Sequence, residues 1–88
     1  MGWTFLTAHG LVLVEIAADR VQTMRSLALK LGVSERTVQS VIRDLVADGY
    51  VTRTRIGRRN VYSVDLQRRM RHPAVQRHRV AALLRALR

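Results

Sequence analysis

Positions 34–43 read Ser-Glu-Arg-Thr-Val-Gln-Ser-Val-Ile-Arg, which sets Ser34, Arg36, Thr37, Gln39, Ser40 and Arg43 within three turns of any helix that holds them. Arginine's planar fork fits the O6 and N7 acceptors of guanine, and a glutamine amide fits adenine. Hydroxyls at a helix start can bond phosphate, helped by free N–H groups and the positive end of the helix dipole. Further on, Arg53, Arg55, Arg58 and Arg59 place four cations in seven positions without one acid, and Asn60 follows. Like charges packed so closely raise the free energy of an isolated segment, and a polyanion relieves it. Arg58 and Arg59 suit a narrow minor groove. Arg53 and Arg55 suit phosphates, as does Arg25 upstream, and Asn60 suits a turn. These are the means of binding a nucleic acid.

The wider composition points the same way. The chain has 88 residues, 16 Lys and Arg against six Asp and Glu, and a formal net charge of +10. Residues 1–50 are balanced, five cations against five acids, whereas residues 51–88 hold eleven arginines against Asp65 alone. All the excess lies in the second part. A chain this basic is drawn to polyanions, nucleic acid first and anionic membrane second. Apolar residues at 48% and charged residues at 25% are those of a folded domain, and the length allows one.

Catalytic and metal chemistry find little support. With no cysteine, thiolate zinc sites, iron–sulfur clusters, disulfides and thiol nucleophiles are excluded. The five glycines form neither a phosphate loop nor a dinucleotide fingerprint. His9, His72 and His78 lie at no metal-ligand spacing and read as structural or solvent-exposed. Asp44 and Asp48, at i and i+4, read as surface charge, and neither Ser34 nor Ser40 has an adjacent base. The expectation is a binding protein, not an enzyme, with no cofactor and no metal. The longest aliphatic run, Leu11–Val14, falls far short of a membrane span. Met1–Phe5 lacks the basic start of a secretory signal. A soluble cytoplasmic protein associated with the nucleoid is expected.

The elements that must position these residues follow from periodicity and caps. Helix one runs from Ala8 to Ala18 with Thr7 as N-cap, and its apolar residues surround the axis. Such a helix must be covered on all sides. A short extended piece, Val21–Thr23, leads to helix two, Met24 to Leu31, stopped by Gly32. Ser34 caps helix three, which spans 35–48. There Val38, Val41, Ile42 and Leu45 fall at i, i+3, i+4 and i+7, one apolar stripe. Arg36, Ser40 and Arg43 occupy the opposite face, flanked by Thr37 and Gln39. Tyr50–Ile56 and Val61–Val64 flank Gly57-Arg58-Arg59-Asn60 and read as a hairpin. A basic connector, Asp65–His72, leads to a last helix opening at Pro73, with Val80, Leu83, Leu84 and Leu87 as its seam.

Helices two and three carry a recognisable pattern. Ala28 is small where two helix axes approach, Gly32 supplies the turn, Val33 plugs the angle, and Val38 locks the third helix onto the second. Ala-x3-Gly-x5-Val with Leu27 and Leu31 is the helix–turn–helix spacing. Residues 8–64, with the stretches MRSLALKLGVSERTVQSVIRDLVADGYV and TRTRIGRRNVYSV, resemble the winged helix-turn-helix of bacterial and archaeal transcriptional regulators, close to MarR-type and ArsR-type DNA-binding domains. The resemblance implies an α+β, mostly α fold with a three-helix core, a two-stranded wing and a C-terminal dimerisation helix. It implies a homodimeric repressor or activator, read here as a prokaryotic repressor, with helix three in the major groove and the wing, 51–64, on the backbone or minor groove. The chain lacks the long helical arms of MarR proteins and the cysteine metal-sensing motif of ArsR proteins.

On this basis residues 1–64 form the DNA-binding unit and 65–88 the connector and dimerisation helix. Double-stranded DNA is contacted by Arg25, Ser34, Arg36, Thr37, Gln39, Ser40, Arg43, Arg53, Arg55, Arg58, Arg59 and Asn60. A two-fold axis packs Leu11 and Val14 against Val80, Leu83, Leu84 and Leu87. Arg77, Arg79, Arg85 and Arg88 offer a membrane-surface alternative for the last helix, disfavoured because its seam has no aromatic anchor. Trp3 and Phe5 are expected to cover the end of the core. Two further functions compete with sequence-specific regulation: non-specific architectural nucleic-acid binding, and a winged-helix protein-interaction module.

Overall fold

The computed structural model describes residues 3–87. Met1 and Gly2, and Arg88 of the expected basic helix, lie outside them. Among the described residues the elements are α1 (Ala8–Ala18), α2 (Met24–Leu31), α3 (Glu35–Ala47), β1 (Val51–Ile56), β2 (Arg59–Val64) and α4 (Val80–Ala86). Each of the first three helices begins at a hydroxyl that relieves an orphan amide. Thr7 accepts from Gly10 N–H at 3.3 Å, Thr23 from Ser26 N–H at 3.0 Å and Ser34 from Thr37 N–H at 3.1 Å.

One core joins these elements. It is built from Val12, Leu13 and Ile16 of α1, Leu27 and Ala28 of α2, and Val38, Val41, Ile42 and Leu45 of α3. Tyr50, Val51 and Tyr62 close it from the hairpin side, and Val80 enters from α4. Full burial of a Val, Leu or Ile side chain stabilises by about 1.5–3 kcal/mol, so α3's four buried positions fix its rotation firmly. Gly32 ends α2 at φ +67°, the left-handed conformation glycine adopts without steric cost, and Val33 N–H returns to Ala28 C=O at 3.1 Å. This is the turn the spacing of Ala28, Gly32 and Val38 predicts.

The strands pair antiparallel from Val51↔Val64 to Ile56↔Arg59. Where the sequence suggested a four-residue linker, the turn is Gly57-Arg58, and Arg59 and Asn60 already belong to β2. Gly57 at φ +62° supplies the positive angle that a two-residue hairpin needs at its first position, and Arg58 needs none. Asn60 therefore pairs with Arg55 and does not make the turn. Arg20, just ahead of the extended piece, bonds to the sheet: Tyr62 N–H donates to Arg20 C=O at 3.0 Å, and Arg20 Nε donates to Tyr62 C=O at 3.1 Å. Buried Gln22 follows it. Its amide donates to Glu15 C=O at 2.7 Å and Asp19 C=O at 3.1 Å, and its oxygen accepts from Lys30 Nζ at 2.8 Å.

The last part of the chain departs most from expectation. Pro73 opens no helix; residues 73–77 are turns, and α4 starts only at Val80. The cause is compositional. Between His72 and Arg79 only Ala74 and Val75 are apolar besides Pro73, so a helix there would have no stripe to bury. The backbone pairs instead: Met70 N–H donates to His78 C=O at 3.0 Å, Val80 N–H to Arg68 C=O at 2.9 Å and Ala81 N–H to Leu66 C=O at 3.0 Å. Tyr50 OH donates to Arg69 C=O at 2.6 Å and pins the loop to the core. Trp3 and Phe5 do not cover the core: they are 80% and 92% exposed and stack edge-to-face on each other, centroids 4.9 Å apart.

Candidate nucleic-acid interface

Helix α3 presents two stripes of identical spacing. Val38, Val41, Ile42 and Leu45 face the core, while Arg36, Gln39, Ser40 and Arg43 repeat the i, i+3, i+4, i+7 pattern two positions earlier and are all exposed. At about 100° per residue, two positions turn the stripe nearly to the opposite side. No side chain of that outer stripe hydrogen-bonds or pairs with another described residue. Its guanidinium, amide and hydroxyl groups are free to meet a ligand. At the N-terminus, Ser34 Oγ and Thr37 Oγ1 lie 3.0 Å apart, so the two hydroxyls bond each other. They hold the helix start in place, and the N–H groups of Glu35 and Arg36 stay open to an anion. Arg25 is exposed in the first turn of α2.

The hairpin register divides the wing arginines. Because faces alternate along a strand, Arg53 and Arg55 lie on the side of Val51 and Tyr62, with Asn60 opposite Arg55. Arg59 lies on the other side with Ile56 and Thr54, and Arg58 stands in the turn. Arg55 Nε donates to Gly57 C=O at 3.2 Å, folding that side chain toward the tip. All four are exposed. The wing thus shows cations on both faces and at its end, spread where a single face was not required by the sequence.

Asp44 and Asp48 are surface charges, each with a partner from elsewhere in the chain. Asp44 Oδ2 lies 2.8 Å from His9 Nε2 on α1, and Asp48 Oδ2 accepts from Arg71 at 2.5 Å. Both line a largely apolar cavity of about 590 Å³ floored by Leu13, Leu45, Val80 and Leu83. Neither pairing was visible in the sequence, since the partners are 35 and 23 residues apart. Among the described residues, no group of three or more His, Cys, Asp or Glu is placed to hold a metal.

The residues expected at a two-fold axis divide. Val80 is 1% exposed and spent on this chain's own core, so it has no surface for a partner. Val14, Leu84 and Leu87 come together in a second groove between α1 and α4, with Ala17, Ala18 and Ala81. Leu11 is half-buried outside that groove, and Leu83 lines the larger cavity.

A family model described as winged helix-turn-helix DNA-binding matches residues 9–52, half of the chain, from α1 to the start of β1. The chain belongs to the winged helix-turn-helix DNA-binding family. The matched segment contains both stripes of α3 and the Gly32 turn, and the winged-helix hairpin follows directly. No curated protein matches the chain. Among solved structures it is similar to one titled as the protein structure of type III plasmid segregation TubR. That likeness has 17% identity and a TM-score of 0.44, and it covers 74% of this chain and 80% of the other. No helix among the described residues is long and apolar enough to cross a membrane.

Proposed function

We propose that this winged-helix chain is a sequence-specific transcriptional regulator, a repressor, that binds double-stranded DNA as a homodimer on the nucleoid. The observation that carries the proposal is the outer stripe of α3, four exposed and unpartnered polar side chains directly behind a buried stripe that fixes their direction. Arg36 and Arg43 offer forks to guanine and Gln39 offers an amide to adenine in the major groove. Ser34, Thr37 and Arg25 serve the phosphates beside the helix start, and Ser40 fills between. The wing arginines grip the backbone or minor groove without reading bases, with Arg58 foremost and Asn60 in support. Repression follows from occupancy: a protein seated on its site excludes other proteins from the same stretch. The groove formed by Val14, Leu84 and Leu87 supports pairing of two copies about a two-fold axis, with Leu11 and Leu83, which lie outside it, as further candidates for the contact.

Selection of random duplex DNA by the purified protein tests this proposal. A dimer reading through α3 enriches an inverted repeat with half-sites about one helical turn apart. Binding without any enriched motif would contradict specificity and favour the architectural reading, which the charge outside α3 supports. If each subunit makes about five phosphate contacts, the dimer's log–log salt slope is about −9.

A further inference from the structure

Five arginines, Arg68, Arg69, Arg71, Arg77 and Arg79, lie in the loop between β2 and α4, and all are exposed. Among the described residues only Arg71 meets a carboxylate, that of Asp48. Four guanidinium charges therefore stand uncompensated in twelve positions. The loop that carries them is held in place. Arg68 lies 5.8 Å from the centre of the Tyr50 ring, Arg69 donates to Arg77 C=O at 2.9 Å, and the backbone bridge Arg69↔Arg79 closes the loop. Fixing like charges together has an electrostatic cost that no internal partner offsets.

The loop is attached to the C-terminal end of α3, through Asp48 and Tyr50. The anion-attracting end of α3 is its N-terminus, and 13 residues at 1.5 Å each put about 20 Å between the two ends. Asp44 stands in the last turn of α3 and Asp48 at its C-cap, and their carboxylates disfavour a phosphate backbone beside them. At physiological salt the Debye length is about 8 Å, so cations at this end act on phosphates close to them and little on those bound at the helix start.

We propose that the loop 66–79 is a second phosphate-gripping surface, and that it holds a second segment of duplex DNA so that the protein bridges two duplexes. This rests on the DNA-binding reading above and adds to it. Arg77 and Arg79, whose side chains have no partner among the described residues, make the contacts to the second duplex. Arg68 and Arg69 shape the loop.

The test uses the full chain, one short duplex fixed to a surface and a second, fluorescent duplex in solution at 0.15 M salt. The wild type co-captures the fluorescent duplex. Arg77→Gln with Arg79→Gln lowers co-capture on the order of tenfold, as expected for two lost phosphate contacts, while affinity for a single short duplex stays within about threefold. Arg77→Lys with Arg79→Lys keeps the charge and keeps co-capture, which excludes misfolding as the cause. Wild-type binding to one duplex without co-capture would overturn the proposal. So would undiminished co-capture by the glutamine pair, since a homodimer can present two α3 faces and bridge without the loop. Equal loss of single-duplex binding would place the loop on the first duplex and overturn it too. Sedimentation with phosphatidylserine vesicles that depends on Arg77 and Arg79, with no co-capture, would assign the loop to a membrane surface instead. Failure of the wild type to bind any single duplex would sink the DNA-binding proposal itself, a result distinguishable from all of these.

Discussion

Helix α3 and the loop that follows the wing both display arginines, but they are built in opposite ways. On α3 the cations Arg36 and Arg43 stand among Glu35, Asp44 and Asp48, so the helix as a whole carries no excess of positive charge. Their directions are set by a regular backbone and a buried stripe of four residues. In the loop, five arginines crowd an irregular backbone held by Tyr50 OH, by scattered backbone bonds such as Met70 N–H to His78 C=O, and by buried Val80. The wing stands between these extremes, with a regular hairpin and four cations but no acid. The difference separates two tasks in nucleic-acid recognition. Few, directed and mixed polar groups discriminate bases, whereas many unbalanced cations attract phosphate whatever the sequence.

Substitutions can break this division at several points. The largest effect is expected from replacing Arg53, Arg55, Arg58 and Arg59 together with alanine. Each lost phosphate contact removes about 0.9 from the log–log salt slope, so four flatten it by about 3.6 per subunit and weaken binding on the order of a hundredfold or more at 0.15 M salt. Fluorescence anisotropy across a salt series reads this, and an unchanged slope would show that the wing stands clear of DNA. Gln22→Ala comes next. It removes the amide's bonds to the carbonyls of Glu15 and Asp19 and its acceptor for Lys30 Nζ at the α1–α2 junction. Glu15 C=O keeps the Asp19 N–H, and the loss of these part-buried bonds costs about 1–3 kcal/mol by chemical denaturation. Base preference should survive, because the α3 stripes remain.

Smaller changes sharpen the contrast between the regular and irregular regions. Tyr50→Phe removes the hydrogen bond to Arg69 C=O and costs about 1 kcal/mol. Amide exchange should quicken in residues 66–79 and stay slow in α3; uniform loosening would mean the loop is not separately anchored. Ser34→Ala deletes the cap on α3 and costs about 1 kcal/mol, read as a lowered denaturation midpoint.

The same contrast explains what the sequence reveals. Helices α1, α2 and α3 are readable because hydroxyl caps mark their starts, because Gly32 and Gly49 follow α2 and α3, and because Val38, Val41, Ile42 and Leu45 of α3 repeat at helical spacing. The outer stripe of α3 follows from the inner one by geometry. The hairpin is readable as such, but its turn is not. Gly57-Arg58-Arg59-Asn60 contains turn formers throughout, and only the pairing of Ile56 with Arg59 shows that two residues suffice. In residues 65–79 the local signals mislead. Pro73 fits a helix start, yet no apolar stripe follows it, and the long-range bonds from Tyr50 and Asp48 decide the path. Val80 illustrates the same limit: its spacing with Leu83, Leu84 and Leu87 suits an outer seam, and only packing shows it buried in the core. His9 with Asp44, and the cavity beside them, depend wholly on tertiary contact.

The central claim is that α3 reads bases while the wing holds the backbone. Its most direct test compares Arg43→Ala with the pair Arg58→Ala and Arg59→Ala, measuring affinity for a selected site and for a scrambled duplex at one salt concentration. For Arg43→Ala the account predicts a loss of about 1–3 kcal/mol on the selected site and much less on the scrambled one, so that discrimination shrinks. For the wing pair it predicts equal losses on both duplexes and intact discrimination. Equal losses on every sequence from both variants would contradict the assignment of base reading to α3.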